Sequence, residues 1–408
     1  MFSLEKFYNI IDENLLSPLH INHMFFAKFG STDPIDIQYC QHTRGNPNIK
    51  NTIFYDQEPI YNNIFANLWD PIKFDPAFDR SYWANHLEHR FNTTMNHFTP
   101  DFNAIANSEH SQEKNNLLKS VNAYDWYYFF HGFAALDWFG NIPYRQPITK
   151  YSKVFITFNN LYTKKRSYRL SLIAGLLNRG LDSQGYISMS QHDIVDKIRG
   201  EIFDTNSQLS KNERKMIFQT LLPNPPKLII DTKDHHGALS ANDVLETMCK
   251  GLWHLVTETV YYDNKLHLTE KIFKPIVAQR PFILIASPGN LAYLKSYGFQ
   301  SFDRWIDESY DEIQDPAERI IAVLDQVEKL CRLNSQDLHT MYQEMTEVLE
   351  HNFNWLYSGG FKKIIVNELV DNFRRCLIKH NAGLNSDNIS YIDHSRMDWA
   401  DIQRRLNY

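Results

Sequence analysis

Several signatures of common chemistry are missing from this 408-residue chain. It has no G-x-x-x-x-G-K-[ST], no G-x-G-x-x-G and no G-x-S-x-G, which argues against P-loop, dinucleotide-binding and lipase-like readings. His-Glu-x-x-His and a strict Asp-x-Asp are also absent, so nothing in the sequence calls for a metal. The four cysteines, Cys40, Cys249, Cys331 and Cys376, are far apart and form no Cys-x-x-Cys pair. Free thiols in a reducing compartment are the simplest reading. No window of eighteen apolar residues occurs, and the N-terminus "MFSLEKFYNIIDENLL" is amphipathic and acidic rather than a leader. The expectation is a soluble cytoplasmic protein without a membrane span. A formal net charge of −6 provides no global attraction to polyanions, although a local basic groove stays open.

The composition itself is that of a folded enzyme-sized protein. Hydrophobic residues make up 43% and charged residues 22%, which places the chain among globular proteins rather than disordered ones. Aromatics reach 14%, enough for thick cores and for clefts that stack flat polar ligands. Short apolar runs read as buried strands at "NTIFYD" (51–56), "FNAIANS" (102–108), "WYYFFHGF" (126–133) and "KVFITFN" (153–159). The last leads into "KKRSYRLSLIAGLLNRG", whose apolar residues recur at helical spacing before Gly180. "KLIID" (227–231) reads as a strand and "ALSANDVLETMCKG" (238–251) as a helix capped by Ser240. Strand, helix, strand and helix then follow at "WHLVTET", "TEKIFKPIVAQ", "PFILIAS" and "GNLAYLKSYG", and two long amphipathic segments come after them. Such alternation predicts parallel α/β sheets. The expected division is an N-terminal α/β domain over 1–150, a second over 151–360, and a C-terminal helical extension over 361–408 with packing back on the first domain open to it. Two such domains facing a cleft would offer a preferred place for ligands.

Candidate site residues collect at the expected strand tips. Thr269 or Leu268 would cap a helix that carries Glu270 and Lys271 in its first turn, where free N–H groups and a Lys suit a phosphate. A carboxylate there can accept two hydrogen bonds from a ribose diol; equally, Glu270 can simply complement the helix dipole. Arg166 and Arg169 open another helix after a strand ending at Asn159 and Asn160, an arrangement able to clamp a diphosphate or to form a solvated basic face. Glu58, with Asp56 as its competitor, stands at a strand tip in the first domain and is a candidate general base. His131 and Asp137 are acceptor-side candidates, and His267 borders Glu270. Glu308 and Asp311 read mainly as helix starts and solvated charge.

These motifs resemble those of GT-B glycosyltransferases, above all the α1,3-fucosyltransferase-like family 10. "VTETVYYDNKLHLTEK" runs parallel to that family's two-Glu arrangement, with Glu258 and Thr259 at the first position and Thr269, Glu270 and Lys271 at the second. "FITFNNLYTKKRSYRL" is similar to its strand-Asn-Arg-helix segment, and "YDQEPI" to the strand end that carries its base. The resemblance implies two Rossmann-like domains and a metal-independent transfer, with inversion, from a UDP- or GDP-linked sugar and no further cofactor. It implies Glu270 on the ribose, Lys271 and the arginines on the diphosphate, and Glu58 as base. "TETV" and "LHLTEK" depart from the family pattern, so fucose is not implied. The missing anchor suits a bacterial or phage enzyme. A glycan is the expected acceptor; the alternatives are a hydroxymethylated pyrimidine in phage DNA and a non-catalytic module that binds nucleotide sugars.

Overall fold

The computed structural model describes residues 4–25, 50–54, 102–120, 123–140, 142, 150–189, 193–226, 247–384 and 391–407. The chain divides into two compact units: Ala134–Lys362 forms one, and Phe2–Phe133 joins Lys363–Tyr408 to form the other. Among the described residues each unit contains a four-stranded sheet whose strands are all parallel, as the α/β expectation requires. No helix of the described residues is long and apolar enough to cross a membrane.

In the unit that contains the N-terminus, helix α1 (Leu4–Ile11) precedes strands β1 (Ile21–Phe25), β2 (Lys50–Phe54) and β3 (Asn103–Asn107). Helix α2 (Gln112–Ser120) then leads to β4 (Tyr124–Tyr127), and the strands lie side by side in sequence order. β3 is buried along its whole length, with Ala104, Ile105 and Ala106 between two buried asparagines, Asn103 and Asn107. One expectation is corrected here: only Trp126 and Tyr127, the first two residues of "WYYFFHGF", are strand. β4 ends at Tyr127, and helix α3 (Phe130–Trp138) begins three residues later, so His131 lies in a helix rather than at a strand end. A continuous apolar run can be a buried helix as readily as a buried strand, and periodicity cannot separate them.

The second unit runs β5 (Lys153–Asn159), α4 (Tyr168–Asn178), β6 (Gly185–Met189), α5 (Ile194–Phe203), α6 (Lys211–Met216), β7 (Gly251–Thr257), α7 (Glu270–Val277), β8 (Phe282–Ile285) and α8 (Asn290–Ser296). Its strand order is β8-β7-β5-β6. From β5 the chain therefore goes to one side to make β6, and then to the other side to make β7. The gap between the carboxyl ends of β5 and β7 is a topological switch point, where crossovers leave in opposite directions and open a crevice. β5 matches its expected span. Gly180 and Gly298 end their helices with φ of +68° and +90°, values that a Cβ would strain. β6 escaped the sequence reading because "GYISM" mixes Gly and Ser into a short run. The segments expected at 227–231 and, for the most part, 238–251 lie outside the described residues, Ser240 included.

Helices α9 (Pro316–Cys331), α10 (Ser335–Glu344) and α11 (Thr346–Tyr357) complete this unit. α9 lies against α4, β5 and β8. The second of the two long amphipathic segments, 335–358, reads as one helix but is two, interrupted at the fully buried Met345. Helix α12 (Gly360–Ala382) returns to the N-terminal sheet, and α13 (Trp399–Leu406) ends the chain. Trp126 on β4 is buried and donates its indole N–H to the Leu369 carbonyl of α12 at 2.9 Å. Asn372 of α12 caps the Tyr127 carbonyl at 2.8 Å, so the helix satisfies groups of β4 that a bare edge would leave open.

Candidate functional site

A pocket of about 220 Å3 opens at the switch point of the second sheet. Phe158 and Asn160 from the end of β5 and Leu255, Val256 and Thr257 from the end of β7 form one side. Arg169 reaches it from the first turn of α4, and Arg166, expected in that helix, from the 3-10 turn Lys164–Arg166 just before it; Glu270, Lys271, Lys274 and Pro275 come from α7. Parallel pairing puts both carboxyl ends at the same edge, and each strand is followed by a helix whose first turn faces that edge. Thus residues about a hundred positions apart meet.

The expected cap is present. Thr269 is the N-cap of α7, with extended backbone, and its side chain accepts from the Lys271 N–H. Glu270 and Lys271 occupy the first turn, and their side chains form an ion pair at 2.9 Å while staying partly exposed. The pair is mostly covered, with the Lys271 side chain 29% and the Glu270 side chain 20% exposed toward the pocket. Lys274, one turn on from Lys271, adds a second lysine to the same wall. That residue was missed in the sequence, although its three-residue spacing from Lys271 on a helix would have found it.

The two arginines have different fates. Arg169 is 3% exposed and donates to the backbone carbonyls of Leu161 at 2.6 Å, Thr257 at 2.7 Å and Glu258 at 3.2 Å. Its guanidinium ties α4 to the end of β7, although one edge of it reaches the pocket. Arg166 is half-buried on the pocket wall, and its side chain makes no hydrogen bond or ion pair among the described residues. In the basic run, Lys165 is taken up by Asp263 at 3.2 Å, and the Lys164 backbone N–H is held by Glu201. Arg166 alone of the three lines the pocket.

Glu258 lies behind the wall rather than on it. It is fully buried, and its carboxyl accepts from the Thr269 hydroxyl, from the Thr269 N–H at 3.2 Å and from the Thr259 N–H at 3.3 Å. Burial raises its pKa, and the nearby Lys271 ammonium opposes that rise. The Lys271 ammonium in turn donates to the hydroxyls of Thr259 at 3.3 Å and Thr269 at 3.1 Å. His254, on β7, also lines the pocket; burial lowers its pKa to about 3, and its Nε2–H donates to the Met248 carbonyl at 3.0 Å. His254, Met248 and Phe158 carried no ligand signal in the sequence, because each reads there as core.

Other candidates find structural partners. Asn159 is buried, donates to Thr157 and Ser188, and accepts from the Thr257 hydroxyl at 3.3 Å. His267 is buried, and its backbone N–H donates to Asn290 at 2.9 Å. His131 is buried in the first turn of α3, and Asp137 is partly exposed near its end. Glu308 and Asp311 are not solvated charge: Asp311 caps α8 through the Leu291 and Ala292 N–H groups, and Glu308 accepts from Ser301 and Phe302. Asp56 and Glu58 lie outside the described residues. Among the described residues no group of three or more His, Cys, Asp and Glu side chains could hold a metal ion.

No protein-family model and no curated protein matches this chain. One solved structure, described as T4 phage BGT in complex with UDP and Mn2+, is similar over 90% of this chain and 85% of its own, at 12% identity and a TM-score of 0.43. A likeness that loose transfers neither fold nor activity.

Proposed function

We propose that this protein is a GT-B glycosyltransferase that moves a sugar from a UDP- or GDP-linked donor to an acceptor hydroxyl. The observation that carries this reading is that Arg166, whose side chain has no hydrogen-bond or ion-pair partner among the described residues, shares a switch-point pocket with Lys271. Two cations and a helix start facing one cavity suit a diphosphate, and Glu270 beside them can accept from the ribose hydroxyls. In the transfer, the acceptor oxygen attacks the anomeric carbon while the bond from that carbon to the diphosphate oxygen breaks, and inversion follows from a single displacement. The leaving diphosphate gains charge as it departs, and Arg166 and Lys271 stabilise that charge without needing a metal. The acceptor proton passes to a carboxylate, for which Glu58 and then Asp56 are proposed. A net charge of −6 favours a glycan over duplex DNA as acceptor.

The test is titration calorimetry with UDP and GDP. One of them should bind, and Arg166→Ala and Lys271→Ala should each weaken it about tenfold or more, as expected for loss of a charge-assisted contact. Undiminished affinity in both variants would overturn the site. Donor hydrolysis without acceptor separates an enzyme from a pure binder, since the binder releases no nucleotide.

A further inference from the structure

Glu258 invites a role different from ligand contact. Its carboxyl has no exposed surface, yet it lies one hydroxyl away from the pocket's lysine. A threonine hydroxyl has a single proton. Where the Thr269 proton is given to Glu258, its lone pairs are free to accept, and the Lys271 ammonium donates to that same oxygen at 3.1 Å. The second anchor of the ammonium, the Thr259 hydroxyl, belongs to the residue whose N–H also donates to Glu258. One buried carboxyl therefore touches both threonines whose hydroxyls hold Lys271, Thr269 at its hydroxyl and N–H and Thr259 at its N–H.

We infer that Glu258 is a positioning residue of the donor site, which turns the Thr269 hydroxyl so that its lone pairs fix the Lys271 ammonium at the pocket wall. This rests on the donor-site reading above. Three donors converge on this carboxyl, two of them backbone N–H groups that cannot rotate away. A glutamine has one acceptor oxygen and would point its NH2 at a donor, so at least one contact would be lost. The Thr269 hydroxyl and the Thr259 N–H share Oε2 while the Thr269 N–H uses Oε1, so at either position the NH2 meets a backbone N–H that cannot turn aside. The amide is pushed out of place, and the hydroxyl is freed to turn its proton toward Lys271, where it repels rather than holds.

The experiment compares Glu258→Gln, Thr269→Val, Thr269→Ser and the Glu258→Gln/Thr269→Val double variant. UDP or GDP affinity is measured by calorimetry, and melting temperature alongside. Thr269→Ser keeps the hydroxyl and should bind as the parent does, while Glu258→Gln and Thr269→Val should each lose roughly tenfold. Because Glu258 acts through the hydroxyl, the double variant should be no weaker than the weaker single one. Multiplying losses, or parental affinity in Glu258→Gln, overturns the positioning role while Lys271→Ala still tests the site itself. If Glu258→Gln does not fold, the threonine pair decides: parental affinity in Thr269→Val, or a loss in Thr269→Ser equal to that of Thr269→Val, refutes the inference. A parent chain that binds neither nucleotide refutes the donor site, and this inference with it.

Discussion

Arg169 offers a sharp test of whether the arginines of α4 serve the ligand or the fold. Replacing it with Met keeps the length and the apolar stem but removes every donor. Three backbone carbonyls then lose an ionised partner, each such bond contributing about 1.5–3 kcal/mol. The losses are unequal. Leu161 is 54% exposed, so its carbonyl can turn to water. The Glu258 carbonyl keeps the Tyr168 hydroxyl as a donor. The buried Thr257 carbonyl has least recourse, so the net cost is about 2–4 kcal/mol, below the sum of three bonds. For a unit of this size that lowers the melting temperature by roughly 5–15 °C. Differential scanning calorimetry measures the shift, and nucleotide titration well below melting measures what remains of binding. If Arg169→Met melts within about 2 °C of the parent but binds UDP or GDP a hundredfold more weakly, the carbonyl contacts are incidental and Arg169 is a ligand clamp.

Arg166→Ala should show the reverse pattern, with weaker nucleotide binding and a melting temperature little changed; a large drop in melting temperature would mean the arginine is structural. Gly251→Ala places a Cβ 2.6 Å from the Ile156 Cβ and 2.9 Å from its backbone N, so overpacking should cost about 1–3 kcal/mol, read as a lower urea midpoint. An unchanged midpoint would show that β5 and β7 can move apart there. His254 supplies a pH dependence. Its folded pKa is lowered from 6.5 to about 3, so below pH 6.5 the unfolded chain takes up a proton that the folded chain refuses. Stability therefore falls as pH drops from 6.5 toward 3, and His254→Gln should flatten urea midpoints measured between pH 7 and pH 5. Parallel pH curves for the two proteins would contradict that reasoning.

Much of the second unit could be read from the chain, because local rules and tertiary demands agree there. β5 is a run of apolar residues that pays off only when both faces are covered, and Thr269 followed by Glu270 and Lys271 is a helix start by capping chemistry alone. Where local rules were silent or double-valued, the reading failed. "WYYFFHGF" satisfied strand and helix equally, and the carboxylates of 303–312 looked solvated because nothing local shows that Asp311 caps a helix twenty residues upstream.

What the sequence by itself determined is the α/β class, the helix starts that put Arg166, Glu270 and Lys271 in position, and the glycines that stop the helices. All of these depend on neighbours within a turn or two. Only the tertiary structure decided which charges remain available. The strand order β8-β7-β5-β6 brings the ends of β5 and β7 together, and with them Arg166 and Lys271, far apart in the chain. The same packing buries Arg169 against carbonyls and Glu258 behind two threonines, partners that no local stretch of sequence announces. The reason is physical: how far a charged side chain is left in water, and which groups it meets there, is a property of the packed chain, not of any stretch of it.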